Sequence, residues 1–418
     1  MKLKPDTLAM ILAGGRVDEL NVLTYYRPKS AVPFGGFARV IDFPLSNLMQ
    51  SGLELVAILS QYRSYSLINH IGIGEAWDMI GRYRGISILP PFKGSAGSRW
   101  YRGSADAVFQ NLDFVRYHAP KNILVLSGDH VYHMDYQKIL DYHQEKDADM
   151  TVAFLKVPMT EAHRFGVAEI DDEDGQGGRV LRYAEKPEHP EFSWASLTVF
   201  CFKSHILYDV LEINAREDDS YEFGRDILPR LIREGRRIYG FKFDGYWGYT
   251  RTVDEYWQTN MDLLGPEPKI RLDEWGIRTN IEHRNIRDCQ PLRVGDNAVI
   301  QDSLVYNGCT VEGHVERSIL FPGIYVRPGA VVKDSVLFFN NIVGRDARLN
   351  KVVSDVNTVF GDNVEVGFTD DGVEQRVTVV GWNNEIPDGT KIGSGATLYP
   401  HLAPESLLGT IKPNEVVR

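Results

Sequence analysis

Paired glycines after a short apolar run are the first residues of this chain whose types and spacing could do chemistry. The run Leu8-Ala9-Met10-Ile11-Leu12 leads into Ala13-Gly14-Gly15-Arg16. A strand that ends in glycines lets backbone N–H groups close on an anion, because no side chain blocks the approach. A second stretch, Arg27-Pro28-Lys29-Ser30-Ala31-Val32-Pro33-Phe34-Gly35-Gly36, brings a lysine and another glycine pair. Cradle plus cation suits a nucleoside triphosphate. Against it stand Asp18 and Glu19, which would point two negative charges at the same ligand.

These residues need elements to hold them. Up to about residue 265, short apolar runs at 8–12, 56–59, 122–126 and 150–155 alternate with helical stretches at 41–51, 105–117 and 136–146. This alternation predicts an α/β domain with a mostly parallel sheet covered on both faces. Ligands of such sheets bind beyond the carboxyl ends of the strands, where Gly14-Gly15 and Gly128-Asp129-His130 both fall. A linker over 266–292 opens with Pro266-Glu267-Pro268. From 293 to 418 the period changes. Ile319, Tyr325, Val331, Leu337, Val343 and Leu349 recur every six residues, with Gly, Asn and Asp in the gaps. That is the period of hexapeptide repeats stacked as a parallel β-helix, each apolar position pointing inward and Gly323, Gly329 and Gly344 at the corners. A β-sandwich would not keep this register. The register breaks over 368–376, which reads as an inserted loop.

With 418 residues the chain has room for two domains. Its net charge of −11 argues against bulk attraction to nucleic acid. Cys201, Cys289 and Cys309 are too scattered for a metal motif or a disulfide framework and fit a reducing cytoplasm. The apolar run at 8–13 is too short for a signal peptide, and no segment approaches a membrane span.

Several motifs resemble those of ADP-glucose pyrophosphorylases, the glucose-1-phosphate adenylyltransferases of glycogen and starch synthesis. They are Pro33-Phe34-Gly35-Gly36 with Arg39-Val40-Ile41-Asp42-Phe43, Leu45-Ser46-Asn47, Gln61-Tyr62, Trp100-Tyr101-Arg102-Gly103-Ser104-Ala105-Asp106-Ala107, Gly128-Asp129-His130-Val131-Tyr132 and Glu185-Lys186-Pro187. The resemblance spans nearly the whole chain. It implies a Rossmann-like nucleotidyltransferase domain followed by a left-handed β-helix, and a tetramer controlled by an allosteric metabolite. The implied reaction joins ATP and glucose-1-phosphate into ADP-glucose and diphosphate, by in-line attack of the sugar phosphate on the α-phosphorus.

Roles follow from the same resemblance, position by position. Asp129 matches a Mg2+-binding aspartate, as a hard cation requires. Lys186 matches the lysine on the sugar phosphate, and Glu185 the residue on the sugar hydroxyls. Gly166, Ser196, Glu222 and Phe223 resemble further sugar-phosphate positions, although the family has aspartate where Glu222 stands. Leu12, Gly14, Gly15, Arg16, Tyr101 and Gly103 resemble the nucleotide site. Lys29 matches a lysine near the phosphates or effector, and Lys29, Gln61 and Trp100 resemble positions linking effector to active site.

The departures are as informative. The family loop reads Gly-Gly-Arg-Gly-(Ser/Thr)-Arg-Leu; here Val17, Asp18 and Glu19 replace its third glycine, hydroxyl and second arginine. Arginine to glutamate swings the charge by two units, and a unit pair at ~4 Å is worth ~4 kcal/mol at an effective dielectric of ~20. Separately, the family's Trp-Arg-Asp-Val-Gly-Thr becomes Trp247-Gly248-Tyr249-Thr250-Arg251-Thr252, so that Tyr249 stands where the second metal-binding aspartate should be. Phenol, with a pKa near 10, is a poor magnesium ligand at neutral pH. Thr198 replaces a glycine of the sugar strand, and Phe200 its tyrosine. The reading is a catalytically impaired, regulatory member, bound to ATP or ADP-glucose and assembled with itself or with an active paralogue as a tetramer. The alternative is an active enzyme in which Asp18, Glu19 or Asp254 supplies the missing carboxylate. A β-helix acyltransferase is a third possibility, with only His314 and His401 to support it.

Overall fold

The computed structural model describes residues 5–15, 18–91, 100–171, 175–217, 220–282, 286–369 and 374–418. Arg16 and Val17 lie outside the described residues, as does the middle of the predicted inserted loop at 370–373. The chain forms two compact units that do not follow chain order. One comprises residues 1–15, 43–64 and 71–246; the other 16–42, 65–70 and 247–418.

The first unit is built on a nine-stranded sheet. Its strands are β1 (Thr7–Leu12), β2 (Leu55–Leu59), β3 (Gly85–Leu89), β4 (Asn122–Ser127), β5 (Met150–Lys156), β6 (Gly166–Ile170), β7 (Gly177–Glu185), β8 (Trp194–Lys203) and β9 (Ile238–Phe243). They run in the order β3-β2-β1-β4-β8-β5-β9-β7-β6. The first four are parallel, as the βα alternation predicts. Strand β8 runs antiparallel to both β4 and β5, and the far edge at β9, β7 and β6 is antiparallel too. The sheet is therefore mixed: β3, β2, β1 and β4 form the expected parallel array, and β5 and β9 are a further parallel pair. Apolar side chains of β1, β4, β5 and β8 pack on Ala105, Val108, Leu112 and Val115 of the helices behind them.

Those helices correct one expectation. The stretch 105–117 is two helices, α1 (Ser104–Phe109) and α2 (Leu112–His118), separated at Asn111. The Asn111 amide donates to the Ala107 carbonyl at 2.8 Å and to the Tyr101 hydroxyl at 3.0 Å. It engages groups that an uninterrupted helix would satisfy with backbone.

The second unit carries three parallel sheets of six, seven and seven strands, each strand pairing with the equivalent one a coil away. This is the β-helix of the hexapeptide pattern. Coils mostly repeat at 17 residues rather than 18, so the inward position drifts. Leu337, Val343 and Leu349 point inward as predicted, but in the preceding coil Val326 and Val332 fill the core while Tyr325 and Val331 are only half-buried. Gly323 and Gly329 take φ of +82° and +78° at corners. Gly344 is needed for another reason: a Cβ there would lie 2.3 Å from the Gly361 carbonyl of the next coil. The coil carrying the insertion is 26 residues long. The segment 16–42 packs in this same unit, and buried Arg27 donates to Asp355 of the β-helix at 2.8 Å.

Candidate functional site

In the first unit, the glycine turn and the Gly-Asp-His motif emerge side by side, because β1 and β4 are neighbours paired from Thr7–Asn122 to Leu12–Ser127. The Gly128 amide donates to the Leu12 carbonyl at 3.0 Å, and the Ala13 amide to the Leu59 carbonyl at 2.9 Å. A Cβ at Gly14 would sit 3.3 Å from Gln61, whereas Gly15 opens onto free space. Gln61 also accepts the Tyr101 amide at 2.7 Å. One side chain thus ties the glycine turn to the Trp-Tyr-Arg-Gly run. Tyr101 is buried, with its hydroxyl donating to the Leu89 carbonyl at 2.9 Å; burial, first, raises its pKa. Trp100 beside it is 69% exposed.

Asp129 is partly accessible. Its carboxylate accepts from the Ser127 hydroxyl and lies 3.4 Å from His130 Nε2. At Gly103 a Cβ would lie 2.2 Å from the Tyr221 carbonyl. Glu222 meets Ser104 here, taking its amide at 3.1 Å and its hydroxyl, while the Phe223 amide donates back to that hydroxyl at 3.1 Å. The Glu222 carboxylate therefore caps the start of α1. Phe223 is buried against Phe200 and Phe202, with ring centres 5.4 and 5.7 Å away.

Glu185 and Gly166 face each other across β7 and β6. The Tyr183 hydroxyl donates to Glu185 at 2.6 Å, and burial together with that carboxylate drives the Tyr183 pKa well up. A Cβ at Gly166 or Gly224 would strike this pair, at 1.8 Å from the Tyr183 hydroxyl or 2.2 Å from the Glu185 carboxylate. Both glycines are fixed by that close approach. Tyr183 was not singled out from sequence, although it lies two residues before Glu185 on the same strand face. Lys186 is exposed on a left-handed backbone, φ +46°. Ser196 and Phe200 flank an irregularity where β8 shifts register against β5, and Thr198 lies within it at φ +53°. A β-branched residue in this region is a true outlier, at the position where the resemblance has glycine.

In the second unit the departures converge. Arg251 donates from Nη2 and Nε to one Glu19 oxygen, at 2.8 and 3.0 Å, and from Nη1 to the Tyr249 hydroxyl at 3.3 Å. The Tyr249 ring packs on Trp247 at a tilt of 36°, centroids 5.3 Å apart, and carries the buried Lys29 ammonium 5.5 Å from its centre. Glu255 accepts the Arg251 amide at 3.0 Å and completes a capping box with Thr252 at the start of α3 (Val253–Met261). The hydrogen bond to Tyr249, and then Glu19, hold Arg251 above its ordinary pKa. Two expectations are corrected. Glu19 does not present a bare charge, because the guanidinium cancels it. The changes at 19 and 249 are not separate events, because Arg251 touches both. The pair is 45% and 40% exposed; such pairs contribute ~1 kcal/mol or less, so it serves orientation more than stability.

The fit to Mg2+ can be tested on these atoms. Asp129 is a suitable oxygen ligand. Tyr249 is not: its oxygen is phenolic and hydrogen-bonded to a guanidinium, which repels a dication. At position 249 the residue present does not fit the ion. Among the described residues, no group of three or more His, Cys, Asp or Glu side chains gathers as a metal site, and no helix is long and apolar enough to cross a membrane.

A glycine turn and an aspartate at the carboxyl edge of an α/β sheet, with a hexapeptide β-helix in the same chain, define a sugar-nucleotide nucleotidyltransferase. Comparison agrees: residues 8–265 match the nucleotidyl transferase family model, and residues 292–383 match the GlmU-like C-terminal hexapeptide. The chain is 39% identical over 395 residues to a glucose-1-phosphate adenylyltransferase of Desulfitobacterium hafniense strain Y51, covering 94% of this chain and 98% of that one. It is 40% identical over 363 residues to the enzyme of that name from Bacillus mycoides, covering 87% and 95%. For that of Clostridium perfringens strain SM101 the identity is 42% over 344 residues, covering 81% and 85%. The chain belongs to the glucose-1-phosphate adenylyltransferase family.

Proposed function

We propose that this chain is a catalytically impaired, regulatory member of its family. It binds ATP or ADP-glucose and a phosphorylated sugar, and works in a tetramer, with itself or with an active paralogue, in the cytoplasm. Gly14, Gly15, Tyr101 and Gly103 line the nucleotide, and Gly166, Glu185, Lys186 and Ser196 the sugar phosphate; Phe223, expected there too, has its ring in the core and its amide on Ser104. Asp129 is the remaining metal ligand. Lys29, Gln61 and Trp100 carry the effector signal.

One observation carries this reading: Arg251 is hydrogen-bonded to Tyr249. At the position that needs a carboxylate for a divalent cation, the chain has a phenol with a guanidinium hydrogen-bonded to it. Among the described residues the candidate replacement carboxylates are exposed or engaged, and Asp18 is exposed. Glu19 is paired with Arg251, and Glu255 is spent on the helix cap. Asp254 lies exposed in the first turn of α3.

The test is diphosphate release by the pure chain with Mg2+, ATP and glucose-1-phosphate, beside the triple variant Glu19→Arg, Tyr249→Asp, Arg251→Gly. All three must change, since Glu19→Arg alone would set two guanidinium groups against each other. The expected result is a silent parent and a variant about 10³-fold faster. A parent with turnover on the order of 10 s⁻¹ would end the proposal.

A further inference from the structure

Tyr249, held by Arg251, does not fit a divalent cation. We propose that the Arg251 guanidinium takes the place of that cation, so that the chain holds a nucleoside polyphosphate without metal. The inference rests on the reading above and names the ligand class and binding mode of the same site.

A divalent ion in a phosphate site does two things: it neutralises charge and it fixes oxygens in space. A guanidinium can do both, since its planar fork matches phosphate bidentately and it never loses its charge. Arg251 is prepared for this. Glu19 takes two of its N–H groups and the Tyr249 hydroxyl a third. A guanidinium has five, so two stay available among the described contacts, on a side chain that is 40% exposed. The three bonds set the plane of the fork before a ligand arrives, which lowers the ordering cost of binding. Lys29 adds a second positive charge over the Tyr249 ring. Glu255 faces the backbone of Arg251 and Thr252, where two amides and the helix start stabilise its carboxylate and keep it off the Arg251 fork.

Tyr249 also finds its purpose here. An aspartate at that position would form a salt bridge with Arg251 and compete with phosphate for the fork. A phenol oxygen accepts one N–H, adds no second anion beside Glu19, and offers its ring to Lys29. Arginine at 251, tyrosine at 249 and glutamate at 19 are therefore one device.

The experiment is equilibrium binding of ATP to the full chain by calorimetry, in Mg2+ and again in excess EDTA. The proposal expects dissociation constants within about twofold of each other. Arg251→Gly should weaken ATP binding in EDTA by about tenfold or more, and Arg251→Gln gives the same reading should the glycine variant fail to fold. In the Tyr249→Asp, Arg251→Gly variant, ATP binding should become dependent on Mg2+. The proposal is overturned by a parent that loses affinity about tenfold on chelation, by variants that bind as the parent does in EDTA, or by a parent that binds ATP in neither buffer. None of these outcomes touches impaired catalysis, which the diphosphate assay decides separately.

Discussion

Glu19 shows what can and cannot be read from one residue. Its charge, its place after the glycine turn and its departure from the family loop are all legible in the sequence. Its partner Arg251 is not, because the two are 232 positions apart and nothing local links them. The same holds for Thr198, which reads as a simple replacement of glycine until the backbone shows φ +53°. A left-handed conformation costs a residue with a Cβ about 1–2 kcal/mol, and glycine's looser unfolded state takes back about 0.5–1 kcal/mol. Thr198→Gly should therefore raise unfolding free energy in urea by up to about 1 kcal/mol. A decrease would mean that the threonine side chain contributes more by packing than it costs in strain. Buried His143 supports a pH prediction. Nδ1 meets the Thr151 hydroxyl at 2.8 Å, and Nε2 has no partner among the described residues. Burial, reinforced by Lys203, lowers its pKa from 6.5 to about 4. With the folded value below the unfolded one, the unfolded chain takes up the proton first. Stability from this group is full above pH 6.5 and is lost as pH falls toward 4, by an amount on the order of 3 kcal/mol. His143→Asn should flatten the urea midpoint between pH 7.5 and 5; an unchanged slope would assign the acid loss to other groups.

Elements were more legible than contacts, where their period was long and repeated. Strands β1, β2, β4 and β5 fall within a residue or two of the apolar runs, since short continuous apolar stretches suit strands covered on both faces. The split between α1 and α2 escaped because Asn111 is polar like any exposed helical residue, and its use of the Tyr101 hydroxyl is a tertiary fact. The β-helix was visible through its period, but a 17-residue coil slips one position against a strict six-residue count, which is why Tyr325 and Val331 were misassigned as inward. Its corners add a feature that the period does not carry. Asn340, Asn357 and Asn383 stand one coil above another with φ of +59°, +60° and +55°. Their side chains form a ladder, Asn340 to Asn357 at 3.2 Å and Asn357 to Asn383 at 2.9 Å. Asn tolerates the left-handed region because its short amide can bond locally, and here it bonds along the stack. Asn357→Ala should cost about 2 kcal/mol, from backbone strain and two lost side-chain bonds in a partly wetted setting. Asn357→Gly keeps the backbone and should cost about half as much. Equal losses in chemical denaturation would locate the whole effect in the ladder.

At the scale of the whole molecule, the second unit gathers stretches that are remote in sequence: 16–42, 65–70 and 247–418. The first stretch is anchored at several points. Asn21 donates to Thr397 at 3.1 Å, the Gly35 amide to Asn260 at 3.1 Å, and the Tyr256 hydroxyl to the Pro33 carbonyl. Arg27 and Asp355 are the charged anchor, 2.8 Å apart with side chains only 5% and 2% exposed. Arg27 also lies over the Trp382 ring, 5.3 Å from its centre, and its Nη1 has no hydrogen-bond partner among the described residues. A buried pair of this kind is weak evidence of net stabilisation, because desolvating two ions offsets their attraction. Removing one partner is different, since it strands a buried charge. Asp355→Leu, which leaves Arg27 buried against Trp382 with no anion, should lower unfolding free energy by about 3–5 kcal/mol, and Arg27→Met should do nearly the same by stranding Asp355. The double variant replaces both ions with apolar groups of similar length and should recover most of that loss. The cycle of four proteins in guanidinium measures the coupling directly. If the double variant is as unstable as the sum of the singles, the two residues act independently, and the anchoring of 16–42 falls to the aromatic contacts of Tyr26 with Trp382 and His401. If it recovers, the pair's role is to specify where this segment docks, because an arginine in an apolar unit tolerates only the one position that offers it a carboxylate.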